Sequence, residues 1–253
     1  MRLVASLISK RDQVYDKDYY HKLSSFVYNL LRGTDYDSLH SHGSKFFSFN
    51  GVYPYGDGNI KKGDKKVVVF SSPDESFISL LEEEIQKLPE IKIGNMTFRL
   101  DDVRKKKVTL YGKSTILNRT PLIVRIPSRN LAMVGYEPKY EYVYWRKGYP
   151  VGLFLKQVTV GIYKKYNSFY GKDLEVRPLF RHIELKKTVA VKMRFDIEPI
   201  TVIGSFWKFS TFGLDRVRRE VLKFGIECGF GELNAQGFGF VDVIKDGKED
   251  SGT

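Results

Sequence analysis

The chain has 253 residues and a formal charge of +12, from 42 Lys and Arg against 30 Asp and Glu, with a single cysteine. One thiol excludes an internal disulfide and a cysteine-based zinc site, so Cys228 reads as a small buried apolar residue and not as a nucleophile. No stretch is apolar enough to cross a bilayer, and the opening segment alternates and soon meets Lys10 and Arg11, unlike a secretory signal; a soluble cytoplasmic protein with no membrane partner is expected.

In chain order, Met1–Ile8 alternates like a strand. The segment from Asp16 or Asp18 to Arg32 carries Tyr20, Leu23, Val27, Leu30 and Leu31 near helical spacing; either aspartate caps it and Gly33 ends it. Phe46–Val52 and Lys65–Ser71 read as strands joined by the Gly/Asp/Lys-rich segment Tyr55–Asp64. Ser72-Pro73-Asp74 starts a second helix that runs to Leu88, where Pro89 stops it. Ile91–Ile93 and Met96–Arg104 close the unit, and this order is the split β-α-β arrangement of the ferredoxin-like fold.

After a linker expected at Lys113–Arg119, the order recurs more loosely. Leu122–Ile126 reads as a strand and Val151–Phe169 as a long helix. Glu175–Ile183 and Lys186–Ile197 supply middle strands, with Thr201–Phe209 as an extension. Leu214–Cys228 is the second helix and Phe238–Ile244 the last strand. Tyr136–Pro150, rich in Tyr, is an additional strand or an exposed insertion, and Lys245–Thr253 a polar, frayed tail.

The most pointed motif lies between that last helix and strand: Gly229-Phe230-Gly231, five residues, then Gly237-Phe238-Gly239. A phosphate-binding loop of a nucleotide cofactor runs from strand into helix, so that a helix N-terminus meets the phosphate. Here the helix ends at the glycines, and the nucleotide-cofactor reading loses its basis. What remains is a helix-to-strand loop whose bare amides could track a polyphosphate backbone. The positive charge, gathered at Lys61-Lys62, Lys65-Lys66, Arg104 to Lys107, Lys164-Lys165, Lys186-Lys187 and Arg216 to Arg219, suits the same partner. With 16 Tyr and 18 Phe available for stacking, RNA is the polyanion favoured.

The doubled Gly-Phe-Gly pattern resembles the glycine-rich signature of the repeat-associated RNA-processing (RAMP) proteins of CRISPR systems. Within them it is most similar to the sixth CRISPR-associated family, endoribonucleases that cut long CRISPR transcripts at each repeat. The N-terminal region agrees, with a strand opening at Met1, a helix containing Phe26-Val27-Tyr28-Asn29-Leu30, then a His and a Lys before the next strand. The resemblance implies an α+β chain of two tandem ferredoxin-like domains, placed at 1–114 with the histidine loop and at 120–246 with the glycine-rich loop. It further implies metal-independent cleavage with no cofactor, leaving 2′,3′-cyclic phosphate and 5′-hydroxyl ends. CRISPR repeat RNA is the implied partner, with proteins of a CRISPR interference complex as further partners of a monomer or homodimer. A non-catalytic subunit that holds guide RNA in such a complex is the alternative.

Cutting RNA through its own 2′-hydroxyl needs groups that remove one proton, supply another and offset phosphate charge. Histidine suits the proton steps because its pKa lies near 6.5. The polar loop Leu39-His40-Ser41-His42-Gly43-Ser44-Lys45 offers two, and burial on an apolar face does not explain such a loop. By resemblance, His40 takes the place of the family's catalytic histidine, with His42 as the alternative ring. Lys45 takes that of a basic residue before the Phe-rich strand, and Tyr28 that of a helical tyrosine, as a positioning or acid–base phenol. RNA contacts are expected from Gly229, Gly231, Asn234, Gln236, Gly237 and Gly239, and from Arg216 and Arg219 of the basic helix.

Overall fold

The computed structural model describes residues 1–16, 19–40, 45–195 and 198–244. The expected tail Lys245–Thr253 lies outside the described residues. The chain divides into two compact units, one of Met1–Lys107 with Leu233–Phe238, the other of Val108–Glu232 with the residues from Gly239 on.

In the first unit, β1 (Arg2–Ser9), α1 (Tyr19–Leu30), β2 (Ser48–Phe49), β3 (Lys65–Ser71), α2 (Glu75–Lys87), β4 (Ile91–Ile93) and β5 (Met96–Lys106) follow one another. The sheet runs β2-β3-β1-β5-β4, every neighbouring pair antiparallel. Alternation in β1 sends Leu3, Ala5 and Leu7 inward, where they meet Val68, Phe70 and Phe98 and the inward faces of the two helices, Leu23 and Val27 of α1 and Phe77, Ile78, Leu81 and Ile85 of α2. Each of these side chains larger than alanine contributes roughly 1.5–3 kcal/mol on burial. Asp74 starts α2 by accepting from the amides of Ser76 and Phe77, as a capping carboxylate should. The expected strand Phe46–Val52 shrinks to β2, because the Asn50 carboxamide oxygen accepts the Val69 amide at 2.6 Å in place of a ladder bond.

The second unit repeats the order with β6 (Lys113–Asn118), α3 (Val151–Tyr170), β7 (His182–Phe195), β8 (Glu198–Phe212), α4 (Arg216–Cys228) and β9 (Val241–Ile244), the sheet running β7-β8-β6-β9. Both sheets place the first strand of the unit between the strands that precede and follow its second long helix, the arrangement of the ferredoxin-like fold. The core of this unit is aromatic: Phe154 of α3 stacks on Trp207 of β8 at 4.1 Å, with Trp145 5.0 Å from Trp207. Gly171 ends α3 in the left-handed conformation.

Several expectations need correction. Lys113–Arg119 is no linker: Lys113–Asn118 is the first strand of the second unit, and the units divide between Lys107 and Val108. Its buried positions are Ser114, Ile116 and Asn118, so its inward face is mostly polar and hides the alternation. Leu122–Ile126 is extended but split at Val124: Leu122–Ile123 pairs with β8, and Arg125–Pro127 forms a separate short strand. Residues 175–181 form no strand; this stretch is largely exposed, and β7 begins only at His182. Tyr142–Tyr144 does pair with Arg125–Pro127, so Tyr136–Pro150 belongs to an insertion between β6 and α3. The last strand starts at Val241 rather than Phe238.

Candidate nucleic-acid interface and catalytic segment

The glycine-rich segment is shaped by sterics at two positions. Gly231 has φ +68°, and a Cβ there would run into the Ile123 carbonyl oxygen. Gly237 has φ +88°, and its Cβ would lie 2.7 Å from both Phe49 Cε2 and Tyr20 Cδ1. Any side chain would therefore dislodge backbone at the first site and two rings at the second.

Several of the loop amides are already committed within the fold, so that part of the segment is not free to meet a polyanion through its backbone. Gly229 N donates to Gly225 O at 2.8 Å, Phe230 N to Gly239 O at 2.9 Å and Glu232 N to Ile123 O at 2.9 Å. Further on, Gln236 N donates to Leu233 O, Gly237 N to Asn234 O and Gly239 N to Pro121 O, all at 2.9–3.0 Å. Asn234 is also turned inward: its side chain is buried and donates to Phe238 O at 3.0 Å. The half-buried positions of the segment are Gly231, Glu232, Leu233 and Gln236. Gln236 Oε1 is itself buried without a hydrogen-bond partner.

In the second unit, Lys165 of α3 grips the first clamp, its ammonium donating to Gly229 O at 3.1 Å and Gly231 O at 2.8 Å. Burial holds its pKa below the usual lysine value, opposed by nearby Cys228 and Glu232. Glu232 in turn receives Arg125 Nε at 2.6 Å. Cys228 is a buried free thiol whose pKa is pushed up to about 11 by desolvation, the opposite of an activated nucleophile. Arg216 and Arg219 sit exposed on the first turns of α4, Arg216 bonded to Glu220 at 3.0 Å.

In the first unit, residues 234–236 pack on α1 and on β2. Tyr20 stacks on Phe238 with centroids 5.2 Å apart, and Ser24 Oγ donates to Ala235 O at 2.9 Å. Tyr28 follows at the same four-residue interval, so Tyr20, Ser24 and Tyr28 form one stripe of the helix. With 1.5 Å per residue, Tyr28 lies about 6 Å beyond Ser24 along the axis. Its ring meets Phe47 edge-on at 6.1 Å, and desolvation pushes its pKa up to about 12. Phe47 lies two residues past Lys45, and the intervening Phe46 is tied down by Ser72 Oγ, which donates to its carbonyl at 2.8 Å. Tyr28 and the segment that follows Lys45 are thus brought to one end of the helix stripe that carries the glycine segment.

His40 closes a short 3₁₀ turn, Asp37–His40, and its ring lies outside the described residues, as does His42 entirely. Sequence reasoning missed Ser24, and took Lys165 only as part of a basic cluster. The one is a serine on an apolar helix face and the other one lysine among many, so neither carries a local signal. Among the described residues, no group of three or more His, Cys, Asp or Glu is gathered to hold a metal ion, and no helix is long and apolar enough to cross a membrane.

The chain matches the family model for the C-terminal part of the CRISPR-associated protein Cas6 over residues 119–243. It is similar to the CRISPR-associated endoribonuclease Cas6 2 of Methanocaldococcus jannaschii, 28% identical over 97% of this chain and 100% of that protein. It is 30% identical to a CRISPR-associated endoribonuclease-like protein Cas6 of Pyrococcus furiosus over 70% of this chain and 67% of that protein. Among solved structures, a RAMP protein described as binding different RNA substrates shares the fold, with a TM-score of 0.72 at 23% identity over 97% of this chain and 100% of that one.

Proposed function

This chain belongs to the Cas6 family, and on that premise we propose that it is an endoribonuclease that cuts CRISPR precursor RNA within its repeats. The observation that carries the reading is the seat of the glycine-rich segment: Tyr20 and Ser24 hold it on the helix that also presents Tyr28. The excess of positive charge supports a polyphosphate substrate.

The reaction needs no redox partner and balances within the RNA. A 2′-hydroxyl loses its proton to a base, the 2′-oxygen attacks the adjacent phosphorus, and the P–O5′ bond breaks as that oxygen takes up a proton. The products are a 2′,3′-cyclic phosphate and a 5′-hydroxyl, and a metal ion is not required. His40 or His42 acts as the proton-transfer imidazole, since histidine is the side-chain type whose ordinary pKa lies closest to neutrality. Lys45 offsets charge developing on the phosphate. With its pKa near 12, Tyr28 is neutral at physiological pH and serves as a donor or orienting group, not as a base. Gly231 and Gly237 act by shape, while Gln236, Arg216 and Arg219 offer side-chain contacts to the strand.

Incubating the purified protein with repeat RNA in EDTA tests this directly. Cyclic-phosphate ends are expected, and a 2′-deoxyribose at the cut site should block cutting while leaving binding. Activity that returns only with a divalent ion would reject the mechanism. Tight binding without cutting under all conditions would instead indicate a guide-RNA holder.

A further inference from the structure

The insertion between β6 and α3 of the second unit carries a feature that the cleavage chemistry does not use. It is rich in tyrosine and base: Tyr136, Tyr140, Tyr142, Tyr144 and Tyr149 stand among Arg125, Arg129, Lys139, Arg146 and Lys147, against only Glu137 and Glu141. The two ends of the stretch are drawn together, because Tyr136 Oη donates to Gly148 O at 2.6 Å and the Tyr136 and Tyr149 rings meet edge-to-face at 5.1 Å. Between them opens a concavity of about 480 Å³, lined by Tyr136, Glu137, Arg146, Lys147 and Tyr149 among others. That volume lies within the range of small-ligand sites, about 300–1,000 Å³.

Two further observations describe its chemistry. The Arg146 guanidinium lies over the Tyr149 ring, 5.1 Å from its centre, so a flat cation is held against a flat aromatic. Arg146 and Lys147 are both exposed, and among the described residues neither forms an ion pair. Surface cations elsewhere are commonly paired, as Lys87 is with Glu83, Lys186 with Glu184 and Arg177 with Asp215. Two cations outside any ion pair, against the one carboxylate of Glu137 in the same lining, therefore stand here beside a stacking surface. A guanidinium plane and tyrosine rings stack a base, and an adjacent ammonium meets its phosphate, whereas a protein partner would need a broader apolar face.

We propose that this pocket is a subsite for one unpaired nucleotide of the substrate RNA, its base stacked on the Arg146–Tyr149 pair and its phosphate met by Lys147. The proposal rests on the reading of the chain as an RNA-processing enzyme. It adds that recognition extends to an insertion the cleavage step does not need.

The test uses repeat RNA made uncleavable by 2′-deoxyribose at the cut site and carrying 4-thiouridine at its unpaired positions. Irradiation of the wild-type complex should leave adducts on the peptide that spans Tyr136–Tyr149. Arg146→Glu with Lys147→Glu should weaken binding about tenfold. It should also lower the salt slope by about 0.7 for each phosphate that is no longer neutralised. Adducts confined to other peptides, together with unchanged affinity, would overturn the subsite while leaving the enzyme reading intact. A changed elution volume on size exclusion with RNA affinity unaltered would overturn it in favour of a protein contact. Failure of the wild-type chain to bind the RNA at all would sink the enzyme reading itself.

Discussion

Tyr20 lies flat on Phe238, the two ring planes 8° from parallel, and the missing side chain of Gly237 makes room for that contact. At Gly231 and Gly237 a glycine motif readable as a phosphate cradle also meets a packing demand. Several of its carbonyls and amides, and the neighbouring rings, hold the loop in one shape.

Gly237→Val should therefore act through fold before it acts through binding. The new side chain meets Tyr20 and Phe49 in a backbone conformation that a β-branched residue avoids. A loss of about 1–3 kcal/mol is expected, or roughly 2–4 °C in Tm for each kcal/mol in a chain of this size. Calorimetry and RNA affinity measured together check it; undiminished values of both would contradict the steric account.

Lys165→Met keeps the stem and removes the ammonium that bridges Gly229 and Gly231. About 1–3 kcal/mol should be lost, since two carbonyls are left without this donor. The pH dependence has a definite sign. The folded state holds this lysine below its unfolded value of 10.5, so the folded chain binds fewer protons and carries a desolvation cost while the group is charged. That cost fades as pH rises from the lowered value toward 10.5. The Tm difference, wild type minus Lys165→Met, should grow between pH 7 and pH 10, and a shrinking difference would reverse the assignment.

Tyr28→Phe should lower the cleavage rate by about 10²–10⁴ if the phenol donates a proton, with RNA affinity unchanged. Because the phenol titrates near 12, its protonation is constant from pH 5 to 9. The shape of the pH–rate curve in that window should survive the substitution even as its height falls. A curve that loses its acid limb would transfer the base role to Tyr28.

His40→Ala and His42→Ala separate the two imidazoles. One of them should cost about 10²–10⁴ in single-turnover rate and the other little, with the double variant no worse than the severe single one. Equal modest losses would mean that neither ring moves the proton.

Much of the fold is legible in the sequence because its apolar positions fall at helical or alternating spacing. Leu23 and Val27 announce α1, Leu81 and Ile85 announce α2, and Leu3, Ala5 and Leu7 announce β1. Strand β6 is not legible, since Ser114 and Asn118 face inward and their burial is met by hydrogen bonds that no hydrophobic pattern reveals. Spacing reveals the glycine motif but not its mode of action. Which amides are occupied depends on distant carbonyls such as those of Pro121 and Ile123, and sequence does not say which strands will come near. Tyr28 and Lys45 are marked by resemblance alone, and the approach of the Tyr28 ring to Phe47, two residues past Lys45, is visible only in three dimensions.

Asn118 patches a hole in the second sheet. Strand β8 pairs with β6 through Lys208 and again with Leu122–Ile123 through Ser205 and Gly204, while the intervening chain makes a detour at Arg119–Pro121. Across that gap the carboxamide of Asn118 stands in for a peptide group, accepting from Trp207 N at 2.6 Å and donating to Ser205 O at 3.0 Å and Thr120 O at 2.7 Å. Aspartate would keep the acceptor and lose both donors; leucine would keep the volume and nothing else. One side chain thus lets a strand be interrupted without a break in the sheet's bonding, and frees the detour to meet Phe240 on the other side.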